Sequence, residues 1–191
     1  MSGTITVQNI QGPTTGSNAN QVLVPSGHTL HAPGHVIQVQ YGEYHTQASG
    51  GFNNTTFAPI TTAQATITPK FSNSKIFVQC NGSGCGAGSN YEFSWHLKRG
   101  STWIGGNSTA GTGYCHASAA VGFDASHGEA GVTSAFNYLD SPNTTSATTY
   151  ILGFQGGETA TYYVNRGWSS GPTYNFRNTG GCTITLMEIA Q

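Results

Sequence analysis

The chain has 191 residues, of which 7% are charged and 36% hydrophobic, with a formal net charge of -1. This length suits one domain with a short appendage, and the charged fraction is far below the roughly 25% of an average soluble domain. The longest basic cluster is Lys98-Arg99, which excludes nucleic-acid binding through many phosphate contacts. No apolar run approaches the roughly 20 residues that cross a bilayer, and the N-terminus lacks a signal-peptide pattern. We therefore expect synthesis in a cytoplasm, with neither nucleic acid nor a membrane as a partner.

The first 35 residues differ in pattern from the rest, and we predict that they form an N-terminal arm. One short alternating strand is predicted over Ile5–Ile10, and a polar Gly/Ser/Asn/Thr linker follows it. Two further apolar runs are interrupted by Pro-Ser-Gly and Ala-Pro-Gly turns. Because short strands of this kind cannot bury a face alone, we predict that the arm packs on another chain. The predicted contact residues are apolar: Ile5, Val7, Ile10, Val22, Val24 and Leu30.

From residue 36 to residue 191 the predicted strands recur at the spacing of an all-β sandwich. The clearest stretch is Tyr138–Phe154, a strand, a turn at Ser141-Pro142-Asn143 and a second strand rich in β-branched and aromatic residues. No segment has a convincing helical period with caps. The pattern predicts an antiparallel fold of about eight to ten strands, most simply a jelly roll.

The last predicted strand, Thr183–Ile189, is apolar although it lies near a terminus. Ile184, Leu186 and Glu188 alternate with a second set of residues on its other face. Because a terminus frays unless contacts hold it, we predict that this strand is central in the sheet or buried at a subunit contact.

The four cysteines do not form a zinc pattern, because no C-x2-C knuckle occurs among Cys80, Cys85, Cys115 and Cys182. Cys80 and Cys85 bracket a Gly-rich NGSG segment that predicts a turn, so this pair is a candidate small disulfide loop. We expect the other thiols to be small residues of the core or of turns.

Several motifs occur in a fixed order: ATITPKFSNSKIFV, LKRGSTWIGG, YLDSPNTTSATTYILGF and the closing CTITLMEI. This series resembles the C-terminal domain of tailed-bacteriophage fibre and virion-surface proteins, especially those of aquatic and cyanobacterial phages. The opening GTITVQNIQG and VPSGHTL…APGHVIQV are similar to the short shaft that precedes such domains. The resemblance covers residues 1–10 and roughly 22–191, and each motif alone is ordinary β-turn sequence.

The resemblance implies a trimeric jelly-roll knob over residues 36–191, displayed on a virion surface, with residues 1–35 as the docking and trimerisation arm. It implies no catalytic residue and no cofactor, so we expect a structural protein and not an enzyme. The expected partners are the chain itself, as a homotrimer, and phage capsid or tail proteins. Two placements stay open: a capsid decoration or head fibre, and a tail-fibre tip that binds host surface glycans.

A candidate glycan site lies between residues 162 and 176, where aromatic residues stand beside amides in a Gly/Pro-containing loop. Rings cover the C–H faces of sugars, and amides bond their hydroxyls. The alternative is that these rings belong to the core or to a trimer interface. For Trp95, which alternates inside a predicted strand, we predict the core. The candidate site residues are Tyr163, Asn165, Arg166, Trp168 and Tyr174.

Two histidine-containing segments are candidate sites of other kinds. His28, His31 and His35 would form rings of imidazoles if three arms wrapped around one axis, although ordinary turn histidines fit their irregular spacing better. Asp124 and His127 lie close in a Gly/Ala loop, but adjacency does not supply an oriented base, so no catalytic residue is predicted.

Overall fold

The structure, a computed structural model, describes residue 3 and residues 6–52, 58–86, 93–104, 117–121, 132–156, 160–166 and 180–191. It divides the chain into an N-terminal unit, Met1–His31, and a β-sandwich unit, Ala32–Gln191. The sequence instead predicts the boundary after His35. Gly34 N–H donates to the carbonyl of Ala190 at 2.8 Å, which ties this part of the predicted arm to the β-sandwich unit.

The described part of the N-terminal unit contains bends and turns but no strand or helix. The strand predicted over Ile5–Ile10 is therefore wrong for residues 6–10, and Ile5 itself lies outside the described residues. Strand backbone groups need a neighbouring strand for their hydrogen bonds, and the described residues of this unit supply none.

The Pro-Ser-Gly and Ala-Pro-Gly turns are confirmed. His28 N–H donates to the carbonyl of Pro25 at 3.1 Å, and His35 N–H donates to that of Ala32 at 2.9 Å. In each turn the third residue is a glycine with positive φ, 84° at Gly27 and 82° at Gly34. This conformation at the third position is the one that favours glycine in type II turns.

Strands dominate the β-sandwich unit, and its described residues contain no helix. The strands are β1 (Val36–Tyr44), β2 (Ala48–Phe52), β3 (Ala58–Ile67), β4 (Lys75–Gly86), β5 (Phe93–Arg99), β6 (Thr102–Ile104), β7 (Ala117–Val121), β8 (Val132–Asp140), β9 (Thr148–Gly156), β10 (Ala160–Val164) and β11 (Cys182–Ile189). Every pairing is antiparallel. The predicted antiparallel all-β fold is confirmed, with short strands such as β6 raising the number above the eight to ten expected.

The strands form two sheets. In the six-stranded sheet, β11 lies between β1 and β4, and β8 also pairs with β4. Strand β10 pairs with the Gly84–Gly86 end of β4, and β2 pairs with β10. In the five-stranded sheet, β9 lies between β3 and β5, and β6 and β7 both pair with β5. Strands β8 and β9 therefore belong to different sheets, so the Ser141-Pro142-Asn143 connection crosses from one sheet to the other.

The two sheets face each other across a shared core. A Cβ added to Gly82 on β4 would lie 2.4 Å from the ring of Trp95 on β5, so this position needs a glycine. The core residues are Ile60, Ala63, Ala65, Ile67, Ile76, Val78, Cys80, Trp95, Leu97, Ile104, Phe136, Tyr150, Leu152, Val164, Cys182, Ile184 and Leu186. The predictions that Trp95 is buried and that the last strand is central are both confirmed.

The candidate disulfide between Cys80 and Cys85 is wrong. The NGSG segment is part of strand β4 and not a turn, and Cys80 is a buried free thiol. Five residues of extended chain separate two Cα atoms by about 16 Å, whereas a disulfide needs Cα atoms about 4.4–6.8 Å apart.

The buried thiols of Cys80 and Cys182 should be unreactive in the folded protein. Burial raises the pKa of the Cys182 thiol to about 11 and also raises that of Cys80. The thiolate is the reactive form, so we expect iodoacetamide to leave both residues unmodified in native protein and to modify them in urea, as peptide mass spectrometry would show. Modification of either residue in native protein would contradict this burial.

Because the pKa of the Cys182 thiol is raised in the folded state, the free energy of unfolding should fall as pH rises from about 9 through about 11.

Candidate functional site

A buried carboxylate joins the two sheets. Asp140 is the last residue of β8. Arg99 Nη1 lies 2.8 Å from each of its carboxylate oxygens and donates to both. The Tyr150 hydroxyl donates to Oδ2 at 2.7 Å. Arg99 ends β5 and Tyr150 lies on β9, so the contact crosses from the six-stranded to the five-stranded sheet. Burial, followed by the hydrogen bond to Asp140, raises the pKa of the Tyr150 hydroxyl. Because every one of these groups has a partner, the network fits a structural role.

A shallow depression of about 360 Å³ opens beside this network. It is lined by Arg99, Gly100, Ser101, Pro142, Thr144, Ala147, Thr148 and Thr149. The lining offers hydroxyls and one guanidinium, which is already engaged with Asp140. Among its described lining residues there is no carboxylate, imidazole or thiol, so these residues supply no general base for hydrolytic chemistry.

A second buried carboxylate holds the last strand in place. Glu188 on β11 is fully buried, and its Oε1 accepts hydrogen bonds from the backbone N–H groups of Lys70 and Phe71 at 2.8 and 3.2 Å. Its Oε2 accepts one from Gln38 Nε2 on β1 at 2.6 Å. One side chain therefore connects β11, the edge strand β1 and the segment before β4. Its contacts are all internal, which leaves it no role in binding a ligand.

Asn165, one of the predicted glycan-binding residues, is buried and used within the chain. Its Nδ2 donates to the carbonyls of Tyr44 and Thr46 at 2.8 and 3.1 Å, and its backbone N–H donates to that of Ser83 at 2.8 Å. Its Oδ1 lies 3.4 Å from Cys182 Sγ. The prediction that this amide contacts a sugar is therefore wrong, because burial and these contacts leave it unavailable to a ligand.

Replacing Asn165 by alanine should lower the free energy of unfolding by about 2–4 kcal/mol. The change leaves buried carbonyls unsatisfied, and it places a Cβ-bearing residue without a side-chain hydrogen bond at a φ of 58°. Asn165→Gly retains the backbone freedom, so it should cost less. Urea unfolding of both variants checks this, and equal stability of Asn165→Ala and the unmodified chain would contradict the structural role.

The remaining candidate glycan residues are placed only in part. Tyr163 on β10 and Arg166 are half-buried, and the guanidinium carbon lies 4.7 Å from the centroid of the Tyr163 ring. Trp168 and Tyr174 lie outside the described residues, as do Asp124 and His127. The structure therefore brings two of the five predicted glycan residues together at the surface.

The predicted arm residues of the N-terminal unit are exposed in the single chain. Val22 is 60%, Leu30 55% and Ile10 75% exposed, and Val7 and Val24 are also exposed. The candidate metal residues His28, His31 and His35 are exposed as well. Within the described part of the chain, no three His, Cys, Asp or Glu residues come close enough to hold a metal ion.

An apolar row on the outer face of the six-stranded sheet is absent from the sequence predictions. Backbone pairing places Val39 of β1 opposite Met187 of β11, Met187 opposite Phe77 of β4, and Phe77 opposite Leu139 of β8. Val39 and Leu139 are 53% and 52% exposed, and the two middle residues are half-buried. Strand alternation was visible in the sequence, but the pairing that aligns these four residues was not.

Comparisons with known proteins add little to this geometry. No family model matches the chain, and no curated protein matches it. Among solved structures, a chain from the "Structure of infectious bursal disease virus Gx strain" is similar at 12% sequence identity with a TM-score of 0.38. The match covers 88% of this chain and 42% of that chain, so this chain spans less than half of that protein's length. The described residues include no helix that is long and apolar enough to span a bilayer. The chain is accordingly an antiparallel β-sandwich for which these comparisons show no family.

Proposed function

We propose that the protein is a non-enzymatic structural protein of a tailed-bacteriophage virion. In this proposal it forms a short trimeric surface fibre, whose N-terminal arm docks on the particle and whose jelly-roll knob projects outward. The preferred placement is capsid decoration or a head fibre. The ordered series of sequence motifs supports the phage assignment, and the strand pairing and the exposed arm support the architecture.

The strand pairing supports the jelly roll. Apart from β2, β6 and β10, eight strands pair in a nested order: β1 with β11, β3 with β9, β4 with β8 and β5 with β7. This is the pairing of one long hairpin, in which the first strand pairs with the last, the second strand with the next to last, and so on inward. Rolling this hairpin adds the contacts of β11 with β4 and β9 with β5, giving the double-sheet form of jelly rolls.

The observation that carries the docking function is the chemistry of the N-terminal unit. The first Asp, Glu, Lys or Arg in the chain is Glu43, so the whole unit is uncharged apart from its terminus. Its apolar residues are exposed, and no strand in its described part pairs them into a sheet. An uncharged segment that exposes this many apolar side chains gains free energy when a partner surface covers them.

Attachment to virions tests the docking role directly. We expect Val24→Asp and Leu30→Asp to abolish co-sedimentation of the purified protein with particles that lack it, because each places a charge in an apolar contact. Gln21→Asp is the matched control, since it adds the same charge at an exposed polar position. Circular dichroism should show an unchanged β-sandwich in all three variants. Undiminished attachment of both apolar variants would overturn arm-mediated docking.

The alternative placement is a tail-fibre tip that binds host glycans. It is favoured by the half-exposed pair of Tyr163 and Arg166, because an aromatic ring beside a cation provides contacts that sugars use. For this placement we expect Tyr163→Ala to weaken binding to host cells while leaving attachment to the particle unchanged. Unchanged cell binding would remove the observation that favours this alternative.

A further inference from the structure

The outer face of the six-stranded sheet forms a patch built of aligned rows. Beyond the apolar row of Val39, Met187, Phe77 and Leu139, the next row contains Tyr41, Thr185, Gln79 and Asn137. The row after it contains Glu43, Thr183, Asn81 and Ala135. On the other side of the apolar row stand Val36, Ile189 and Lys75. Apolar residues thus occupy one complete row, and amides and hydroxyls occupy most of the neighbouring positions.

We infer that copies of this chain contact each other through this outer face. The inference rests on the proposed homotrimer and names the surface that its β-sandwich units use. A single chain seldom exposes a contiguous apolar band across four neighbouring strands without a partner. Here the two ends of the band, Val39 and Leu139, are each more than half exposed, as is Tyr41 at 57%.

The charged residues of this face indicate which kind of partner it fits. Glu43 and Lys75 are the only charged residues in the four rows, so their charges cancel and a strongly basic or acidic partner gains no net attraction. Glu43 also contacts His45 at 3.3 Å, and Lys75 Nζ donates to Ser141 Oγ at 2.6 Å. Amides such as those of Gln79 and Asn137 both donate and accept hydrogen bonds, so a surface of amides complements another copy of itself.

Strand β1 forms one border of the patch. Strand β1 has nine residues and stands at the end of the sheet path, where its only sheet neighbour among the described strands is β11. It contains no lysine or proline, but it carries Glu43 and a register shift between Val36 and Gln38, which are also features of protected edges.

The size of the patch agrees with part of a stable interface. Four strands spaced about 4.8 Å apart and four rows spaced about 6.8 Å apart cover roughly 500 Å² of flat surface. A standard interface buries about 800 Å² on each partner. The outer face therefore supplies more than half of that area, and we expect the adjoining edge of β1 to contribute to the rest.

Oligomer mass tests the inference in the full-length chain. We expect Val39→Glu combined with Leu139→Glu to reduce the mass measured by light scattering to that of the 19.9 kDa monomer. Changing the same two positions to serine should also weaken assembly, so that this variant dissociates at a higher protein concentration than the unmodified chain does. The control Gln64→Glu with Thr66→Glu adds equal charge at exposed positions of the other sheet and should leave the mass unchanged. Circular dichroism verifies the fold of each variant.

The arm is tested separately so that the two proposals can fail independently. If Leu23→Glu with Val24→Glu dissociates the oligomer and the Val39 and Leu139 variants do not, the face inference is overturned and arm-mediated assembly stands. Equal dissociation by the Gln64 and Thr66 control would overturn the assignment to this face. An unmodified chain that is already monomeric would overturn the inference together with the homotrimer, and it would leave docking on the virion to be decided by particle attachment.

Discussion

Asp140→Ala is expected to lower the free energy of unfolding by about 3 kcal/mol, the lower end of the cost of breaking a buried ion pair. The substitution leaves the Arg99 guanidinium and the Tyr150 hydroxyl without their common acceptor at a junction between the two sheets. We take the lower end because the Arg99 side chain retains 29% exposure and water can reach it. Urea unfolding followed by tryptophan fluorescence measures the change.

Two further variants separate the parts of this network. Tyr150→Phe removes one hydrogen bond to a charged acceptor and leaves the ion pair, so a loss of about 1.5 kcal/mol is expected. Asn137→Ala, on the exposed face of the same strand, should stay within about 0.5 kcal/mol of the unmodified chain. A cost for Asp140→Ala no greater than that of Asn137→Ala would show that the buried pair does not stabilise the fold.

Glu188→Ala is expected to cost about 3–5 kcal/mol. Hydrogen bonds to a charged group contribute about 1.5–3 kcal/mol each, and the loss of three is partly offset because the cost of burying the charge is removed with them. The substitution removes the acceptor for the backbone N–H groups of Lys70 and Phe71 and for the amide of Gln38. The strand β11 and the edge strand β1 should loosen together. Amide hydrogen exchange measures this as faster exchange in both strands.

Glu188→Gln provides the matched comparison. Glutamine keeps one carbonyl oxygen for the backbone donors, so its stability should lie between those of the alanine variant and the unmodified chain. Gln79→Ala, at an exposed position of β4, controls for the loss of a polar side chain in the same sheet. If Glu188→Ala unfolded at the same urea concentration as the Gln79 control, the role assigned to this carboxylate would be wrong.

Strand alternation accounts for the features that the sequence predicted well. In β11, Ile184 and Leu186 are fully buried while Thr185 between them is half-buried, which follows the two-residue period of a strand with one face on the core. In β8, Phe136 is buried while Asn137 is exposed, which follows the same two-residue period. Such patterns are local, and the sequence therefore shows them directly.

Long-range contacts account for the features that it missed. The NGSG segment has the composition of a turn, but its Gly82 is placed within β4 because the ring of Trp95 occupies the space where a Cβ would lie. Asn165 resembles a surface amide in sequence, but its side chain satisfies carbonyls of residues more than 100 positions earlier. Asp140 and Arg99 are 41 residues apart. No local pattern encodes these pairings, because each depends on how the two sheets are brought together.

In the proposed fibre, the N-terminal unit and the outer face of the six-stranded sheet are expected to make different kinds of contact. The uncharged N-terminal unit exposes single apolar residues, as expected of a segment that inserts into a partner surface. The outer face of the six-stranded sheet exposes a flat apolar row, as expected of a contact between like units.

Immunogold labelling of intact virions, with an antibody against the β-sandwich unit, tests the central claim most directly. We expect gold particles distributed over the icosahedral head in electron micrographs, as decoration requires. Virions of a deletion strain, complemented with the Val24→Asp Leu30→Asp chain, should lose this label. Label confined to the tail end would contradict decoration and support the receptor-binding placement, and absence of label from every part of the particle would contradict a structural role in the virion.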